Sequence, residues 1–182
     1  FAVYAGDATS ISREIYQNSV VWNDQLVSAS SFTFNLLPGE TTYYLLAMGG
    51  GGQENISGKI NDVNIVDVFQ ADPSAVQVSV PIQSSLSSYT LSTVEDGSYT
   101  PTLESVQVAL AAATFGAPVV VTGQTVINAN PEAETTGGIR SGFSFDDNTA
   151  VFYRFSAASV PEPSSATLLM GLGLLGLVRR RR

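Results

Sequence analysis

The chain has 182 residues, of which 44% are apolar, enough for one ordinary domain with a single core and a short extension. It carries 16 acidic against 8 basic groups, a net charge of −8; four of the basic groups are Arg179 to Arg182, and the remaining 4 (Arg13, Lys59, Arg140, Arg154) leave an acidic body that argues against nucleic-acid binding. Cysteine and histidine are both absent, which excludes disulfides, thiol chemistry and the Ser-His-Asp arrangement, and removes most zinc and copper sites.

In chain order, the N-terminal residues predict extended structure. The chain opens on Phe1 rather than Met, as expected where a signal peptide has been removed or the chain trimmed. Ala2-Val3-Tyr4 and then Ile11, Arg13 and Ile15 favour strand, and the stretch Phe1 to Ser19 is a candidate donor strand for pairing between subunits. Val20 and Trp22 share one face of the next segment.

Phe32, Phe34 and Leu36 alternate with Thr33 and Asn35, and Pro38-Gly39-Glu40-Thr41 reads as a turn. Thr42 to Met48 then forms a more buried strand, so the pair is expected to be a hairpin. Gly49 to Gly52 interrupts it; no Lys-Ser/Thr follows, so this is not a phosphate loop but a connection. Alternation resumes at Ile56 to Asn61. Val63 and Ile65, then Val66 and Val68, continue as strand, as do Val76, Val78 and Val80 before Pro81.

Leu103 to Phe115 is ambiguous. Val106, Val108 and Leu110 alternate, while Ala111-Ala112-Ala113 favours helix; strand is preferred. Val119 to Val121 and Thr125 to Ile127 are further strands. Asn128 to Gly142 is polar, acidic and turn-rich and reads as an exposed loop. Phe143 and Phe145 lead into Asp146-Asp147-Asn148 and Ala150 to Phe155, a closing hairpin.

These runs predict an all-β fold: a single β-sandwich or jelly-roll-like domain over residues 1–159, followed by a short hydrophobic helix within residues 160–182. The oxygens of Asp146, Asp147 and Asn148 make a candidate calcium site, since calcium takes carboxylate, amide and backbone oxygens; the same three residues also suit a plain hairpin turn. No other cofactor is expected. The carboxylate pairs Glu95/Asp96, Glu132/Glu134 and Asp146/Asp147 are adjacent in turns, not spaced across a sugar, and no catalytic residue is assigned. Trp22, Tyr16, Tyr43, Tyr44, Tyr89, Tyr99 and Tyr153 are the aromatics available to stack on a carbohydrate, with the core as the alternative place for them.

The C-terminus is the most specific feature. Val160-Pro161-Glu162-Pro163 resists helix formation and keeps the backbone extended. After Ser164 and Ser165, an uncharged segment runs from Ala166 through Leu168, Leu169, Met170, Gly171, Leu172, Gly173, Leu174, Leu175, Gly176 and Leu177 to Val178. As a helix it spans about 20 Å. A bilayer core is roughly 30 Å thick, so it is a marginal anchor. Arg179, Arg180, Arg181 and Arg182 form a cytoplasmic stop by the positive-inside rule, which places the body outside.

This order of parts resembles the PEP-CTERM sorting domain, over about an eighth of the chain. The resemblance implies recognition by an exosortase, a membrane-embedded cysteine transpeptidase or protease cleaving near Pro161-Glu162-Pro163, in a host that makes exopolysaccharide. The expected function is that of an exported, non-enzymatic cell-surface or extracellular-matrix protein, associated with exopolysaccharide and transiently held in the inner membrane. The alternative is a structural subunit that self-assembles into a surface filament or sheath by β-strand addition.

Overall fold

The computed structural model describes residues 1–17, 31, 33–49, 55–82, 101–122, 137–142 and 149–160. In chain order these form β1 (Ala2–Gly6), β2 (Ile11–Gln17), β3 (Thr42–Gly49), β4 (Asn55–Ile56), β5 (Lys59–Ile60), β6 (Val63–Asn64), α1 (Ile65–Ala71), β7 (Val76–Ser79), α2 (Leu103–Ala112), β8 (Phe115–Gly116), β9 (Val119–Val121), β10 (Gly138–Arg140) and β11 (Thr149–Ser156). A single 3-10 turn, Ala157–Ser159, comes after β11.

The fold is mostly β. Its main sheet has six antiparallel strands in the order β2-β1-β3-β11-β7-β8. A three-stranded sheet, β4-β10-β9, and a two-stranded one, β5-β6, accompany it. β11 aligns with β3 from Thr149↔Gly49 to Ser156↔Thr42 and with β7 from Tyr153↔Val78 to Phe155↔Val76.

Both faces of the main sheet are buried, which explains why its central strands read as nearly unbroken apolar runs. Successive side chains point to opposite faces of a strand. Tyr4, Tyr44, Leu46, Ala150 and Phe152 pack on one side with Val106, Ala109 and Leu110 of α2. Tyr43, Val76, Val78, Val151, Tyr153 and Phe155 pack on the other with Ile65, Val66 and Val68 of α1 and Ile139 of β10. Tyr43 stacks on Phe155, with centroids 5.0 Å apart, while Tyr44 meets Phe152 edge-on at 6.4 Å.

Two segments expected as strand are helical. β6 ends at Asn64, and Ile65 opens α1. Ile65, Val66, Val68 and Phe69 recur at spacings of one, three and four, which puts them on one helical face, with Asp67 exposed in the first turn. α2 replaces the strand read from Val106, Val108 and Leu110. The Thr102 hydroxyl caps it by accepting from the Ser105 amide at 3.2 Å, and Glu104 lies in the first turn. Val106, Ala109 and Leu110 face the sheet, and Val108 is exposed. Here helical spacing and alanine propensity outweigh β-branching.

The first expected hairpin loses an arm. The turn at Pro38-Gly39 forms, with Gly39 at φ +92°, and β3 begins at Thr42. Residues 33–37 do not pair with β3, because β1 and β11 occupy its two edges. Phe34 instead packs against Tyr43 at 5.7 Å. β11 has β3 and β7 as partners; the other arm expected for the closing hairpin, at 143–148, lies outside the described residues. β10 emerges within the expected loop 128–142 and sits at the centre of its sheet. Trp22, Gly50–Gly52 and Thr125–Ile127 also lie outside the described residues, as does the expected C-terminal helix.

β1 lies between β2 and β3 with all five residues buried. Within the candidate donor stretch Phe1 to Ser19, β1 is paired on both edges, whereas β2, which holds Ile11, Arg13 and Ile15, pairs with β1 alone among the described residues. Gly6 closes β1 tightly: a Cβ there would lie 1.9 Å from the Ser10 carbonyl oxygen.

A charged clasp ties residues 35–40 to β2. Arg13 Nε and Nη2 donate to Glu40 Oε1 and Oε2, each at 2.9 Å, and Arg13 Nη2 also reaches the Asn35 carbonyl at 2.7 Å. The Leu37 amide donates to Glu40 Oε2 at 2.7 Å. The Arg13 hydrogen bond, helped by the Leu37 amide and the Ser12 hydroxyl, brings the Glu40 carboxyl down to about 2.

These contacts make two stability measurements informative. The Tyr43 hydroxyl is buried without a hydrogen-bond partner, whereas the Tyr44 hydroxyl donates to the Asp7 carbonyl. Tyr43→Phe should leave the urea midpoint unchanged or raise it, and Tyr44→Phe should lower stability by about 0.5–1.5 kcal/mol. Shifts of the same sign would contradict this assignment. Glu40, with its folded value depressed, contributes stability above its ordinary 4.5, and that contribution is lost as pH falls toward about 2. Glu40→Gln should make the acid limb of a stability-versus-pH curve shallower; an unaltered limb would count against the clasp.

Candidate functional site

The C-terminal segment leaves the body from an interior strand. At the end of β11 the Ser156 amide donates to the Ala75 carbonyl and the Ala157 amide to the Thr41 carbonyl, both at 2.9 Å. The 3-10 turn then brings Val160 back against the apolar face, where it is 8% exposed in the cluster that holds Tyr43 and Phe155. Asp72 braces the same end from the α1–β7 connection. Its Oδ1 accepts from the Ser74 hydroxyl at 2.6 Å and the Ser74 amide at 2.9 Å. Those bonds and one from Ser159 hold its carboxyl below the usual range.

Of the predicted sorting residues, Val160 is the one described, and it is the buried root of the segment. Pro161, Glu162, Pro163, the apolar segment 166–178 and Arg179–Arg182 lie outside the described residues. Among the described residues no helix is long and apolar enough to cross a membrane.

The candidate calcium residues Asp146, Asp147 and Asn148 also lie outside the described residues, as do Glu95, Asp96, Glu132 and Glu134. Among the described residues no group of three or more acidic side chains is placed to hold a metal. The aromatic candidates divide. Tyr43, Tyr44 and Tyr153 are core residues, at 9%, 0% and 0% exposure, and cannot stack on a sugar. Tyr16 is half-buried against Phe1 at 5.7 Å. Trp22, Tyr89 and Tyr99 lie outside the described residues.

Sequence reasoning missed a polar cleft beside this root. Ala8, Thr41, Thr42, Ser74, Gln77, Arg154, Ser156 and Ala158 line a volume of about 230 Å³. Strand alternation builds it: Thr42, Arg154 and Ser156 lie on the sheet face that α2 covers further along, with Tyr44 and Gln77 flanking Arg154 in register. The signal was available in the sequence, since Arg154 is the single charge inside the run from Thr149 to Ser156. Nothing in that run told which turns would meet around it.

The body thus ends in a braced strand that runs directly into residue 160. Residues 159–182 match the family model described as the PEP-CTERM protein-sorting motif. The C-terminus of this chain is a PEP-CTERM sorting motif. The match begins at Ser159, in the 3-10 turn, so the motif is rooted in the folded body. No curated protein and no solved structure matches the chain. A PEP-CTERM motif implies an exported, surface-associated protein that is sorted and processed by an exosortase.

Proposed function

We propose that this chain is an exported, non-enzymatic cell-surface or matrix protein. Its body, residues 1–159, is a single sandwich or jelly-roll-like unit that associates with exopolysaccharide after exosortase handling of residues 160–182. The observation that carries the reading is the sorting motif, which continues without a linker from an interior strand. The sandwich description is supported by the burial of both faces of the main sheet, one of them against Ile139 of the β4-β10-β9 sheet. The non-enzymatic part is supported by the absence of histidine and cysteine from the sequence.

Within the motif, Val160 to Pro163 supply the recognised backbone. Prolines at 161 and 163 disfavour helix, which suits a segment to be read by a membrane-embedded enzyme. Ala166 to Val178 holds the chain in the inner membrane for the duration of processing, and Arg179 to Arg182 keeps its end cytoplasmic. A short apolar segment suits a temporary anchor better than a permanent one.

The filament reading remains the second one, on the later part of the candidate stretch Phe1 to Ser19. β2 is the seven-residue edge strand of the main sheet, the position at which strand addition takes place. Arg13 and Glu14 on it are the kind of charges that discourage such pairing.

Replacing Pro161, Glu162 and Pro163 together by alanine should leave the protein in the inner-membrane fraction of an exosortase-bearing host. Surface delivery equal to wild type would overturn the sorting assignment. The full chain in mild detergent should be retained on at least one acidic or neutral polysaccharide matrix. No retention on any of them would overturn the matrix reading, and ordered fibres in electron micrographs of surface material would favour the filament.

A further inference from the structure

The sheet face that α2 covers is apolar at Tyr44 and Phe152 and turns polar toward the start of β3 and the end of β11. Arg154 is the cation there, and its partners among the described residues are neutral. Its Nη1 donates to the Ala8 carbonyl at 2.9 Å, its Nη2 donates to Gln77 Oε1, and its guanidinium carbon lies 4.2 Å from the centre of the Phe115 ring. No described carboxylate stands within ion-pair distance of Arg154, whereas Arg13 has Glu40 at 2.9 Å.

The acidic residues on the adjoining turns are already engaged. Asp7 Oδ1 accepts from the amides of Thr9 and Ser10, each at 2.8 Å, and from the Thr9 hydroxyl at 2.9 Å. Asp72 Oδ1 is held by Ser74. A half-buried guanidinium with no counter-charge beside it among the described residues is incomplete electrostatically, the more so in a chain of net charge −8. Guanidinium has five N–H donors, so those engaged by Ala8, Gln77 and the Tyr44 hydroxyl leave others for a ligand.

The walls narrow the ligand class. A guanidinium matches a carboxylate in charge and in planar geometry. The hydroxyls of Thr41, Thr42, Ser74 and Ser156, with the Gln77 amide, offer both donors and acceptors, as a polyhydroxylated ligand requires. At about 230 Å³ the cleft is smaller than the roughly 300–1,000 Å³ typical of sites for drug-sized molecules, which fits one small unit.

We propose that this cleft binds a single carboxylate-bearing sugar residue, a hexuronate, with Arg154 on the carboxylate and the surrounding hydroxyls and Gln77 on the ring oxygens. The inference rests on the exopolysaccharide reading for the source of the sugar, and it gives that reading a ligand. The body's 15 acidic against 4 basic groups repel a densely charged polymer, so a polysaccharide with sparse or terminal uronate is the partner that fits.

The test is calorimetric titration of the full chain in mild detergent with glucuronate, glucose, acetate and sulfate. Glucuronate should bind saturably, and glucose and acetate at least about tenfold more weakly, because one lacks the charge and the other the hydroxyls. Ala158 is exposed at the rim, and Ala158→Glu should weaken glucuronate about tenfold or more through like-charge repulsion, with the urea midpoint unchanged. Arg154→Met should abolish binding, and the rim variant keeps the test meaningful if Arg154→Met fails to fold. Glucose or acetate binding as tightly as glucuronate, sulfate binding in its place, or full affinity in Ala158→Glu would each overturn the proposal. Polysaccharide retention that survives Ala158→Glu would remove the cleft and leave the matrix reading standing. Glucuronate bound in the cleft by a protein that no polysaccharide retains would uphold the cleft and sink that reading.

Discussion

β11 holds the molecule together: its backbone pairs with β3 along eight residues and with β7 along three, and its side chains fill both cores. Ala150 and Phe152 belong to the layer under α2, and Val151, Tyr153 and Phe155 to the layer shared with α1 and β10. Burying each of the large side chains contributes about 1.5–3 kcal/mol. Withdrawing this strand would open both faces at once and leave β3 and β7 without a shared neighbour. The sorting motif begins three residues after β11 ends, so the segment that directs the protein is attached to the strand shared by both cores. The bonds from Ser156 to Ala75 and from Ala157 to Thr41, with Val160 in the apolar cluster, keep local strain in the tail from reaching the sheet.

Charge is divided along the same boundary. Half of the basic groups are the terminal arginines, and removing them leaves a strongly acidic body. Such a charge makes copies of the body repel one another. Two of the remaining basic groups have defined structural tasks. Arg13 clasps Glu40 and draws residues 35–40 onto β2; Arg154 holds the β1–β2 loop through Ala8 and leaves a cation in the cleft. Neither is spent on a diffuse positive surface, in keeping with the argument against nucleic-acid binding.

What was legible in the sequence was local. The turn at Pro38-Gly39, the strand from Thr42, the Val76–Val78 alternation and the strand from Ala150 to Phe155 all lie where period and turn chemistry place them. Partners were not legible. Adjacent apolar runs look like hairpins, yet β3 takes β1 and β11, more than a hundred residues apart along the chain, because a strand buried on both faces needs neighbours that are apolar on both faces, whatever their sequence separation. The helices were misread for a related reason. Val106, Val108 and Leu110 alternate, but burial falls on Val106, Ala109 and Leu110, and alanine is small enough to seem neutral in a pattern of large residues. The sorting segment was the most legible site, since its order of parts is carried by contiguous residues. The Arg154 cleft was the least, since it is assembled from separate turns and strand ends.

The central claim is that residues 160–182 are an address that the exosortase system processes rather than a lasting anchor. Mass spectrometry of the C-terminal peptide of the protein recovered from the cell surface tests it most directly. The account predicts a terminus, or a new linkage, near Pro161-Glu162-Pro163, with the four arginines gone. Surface protein that still ends at Arg182 would contradict it.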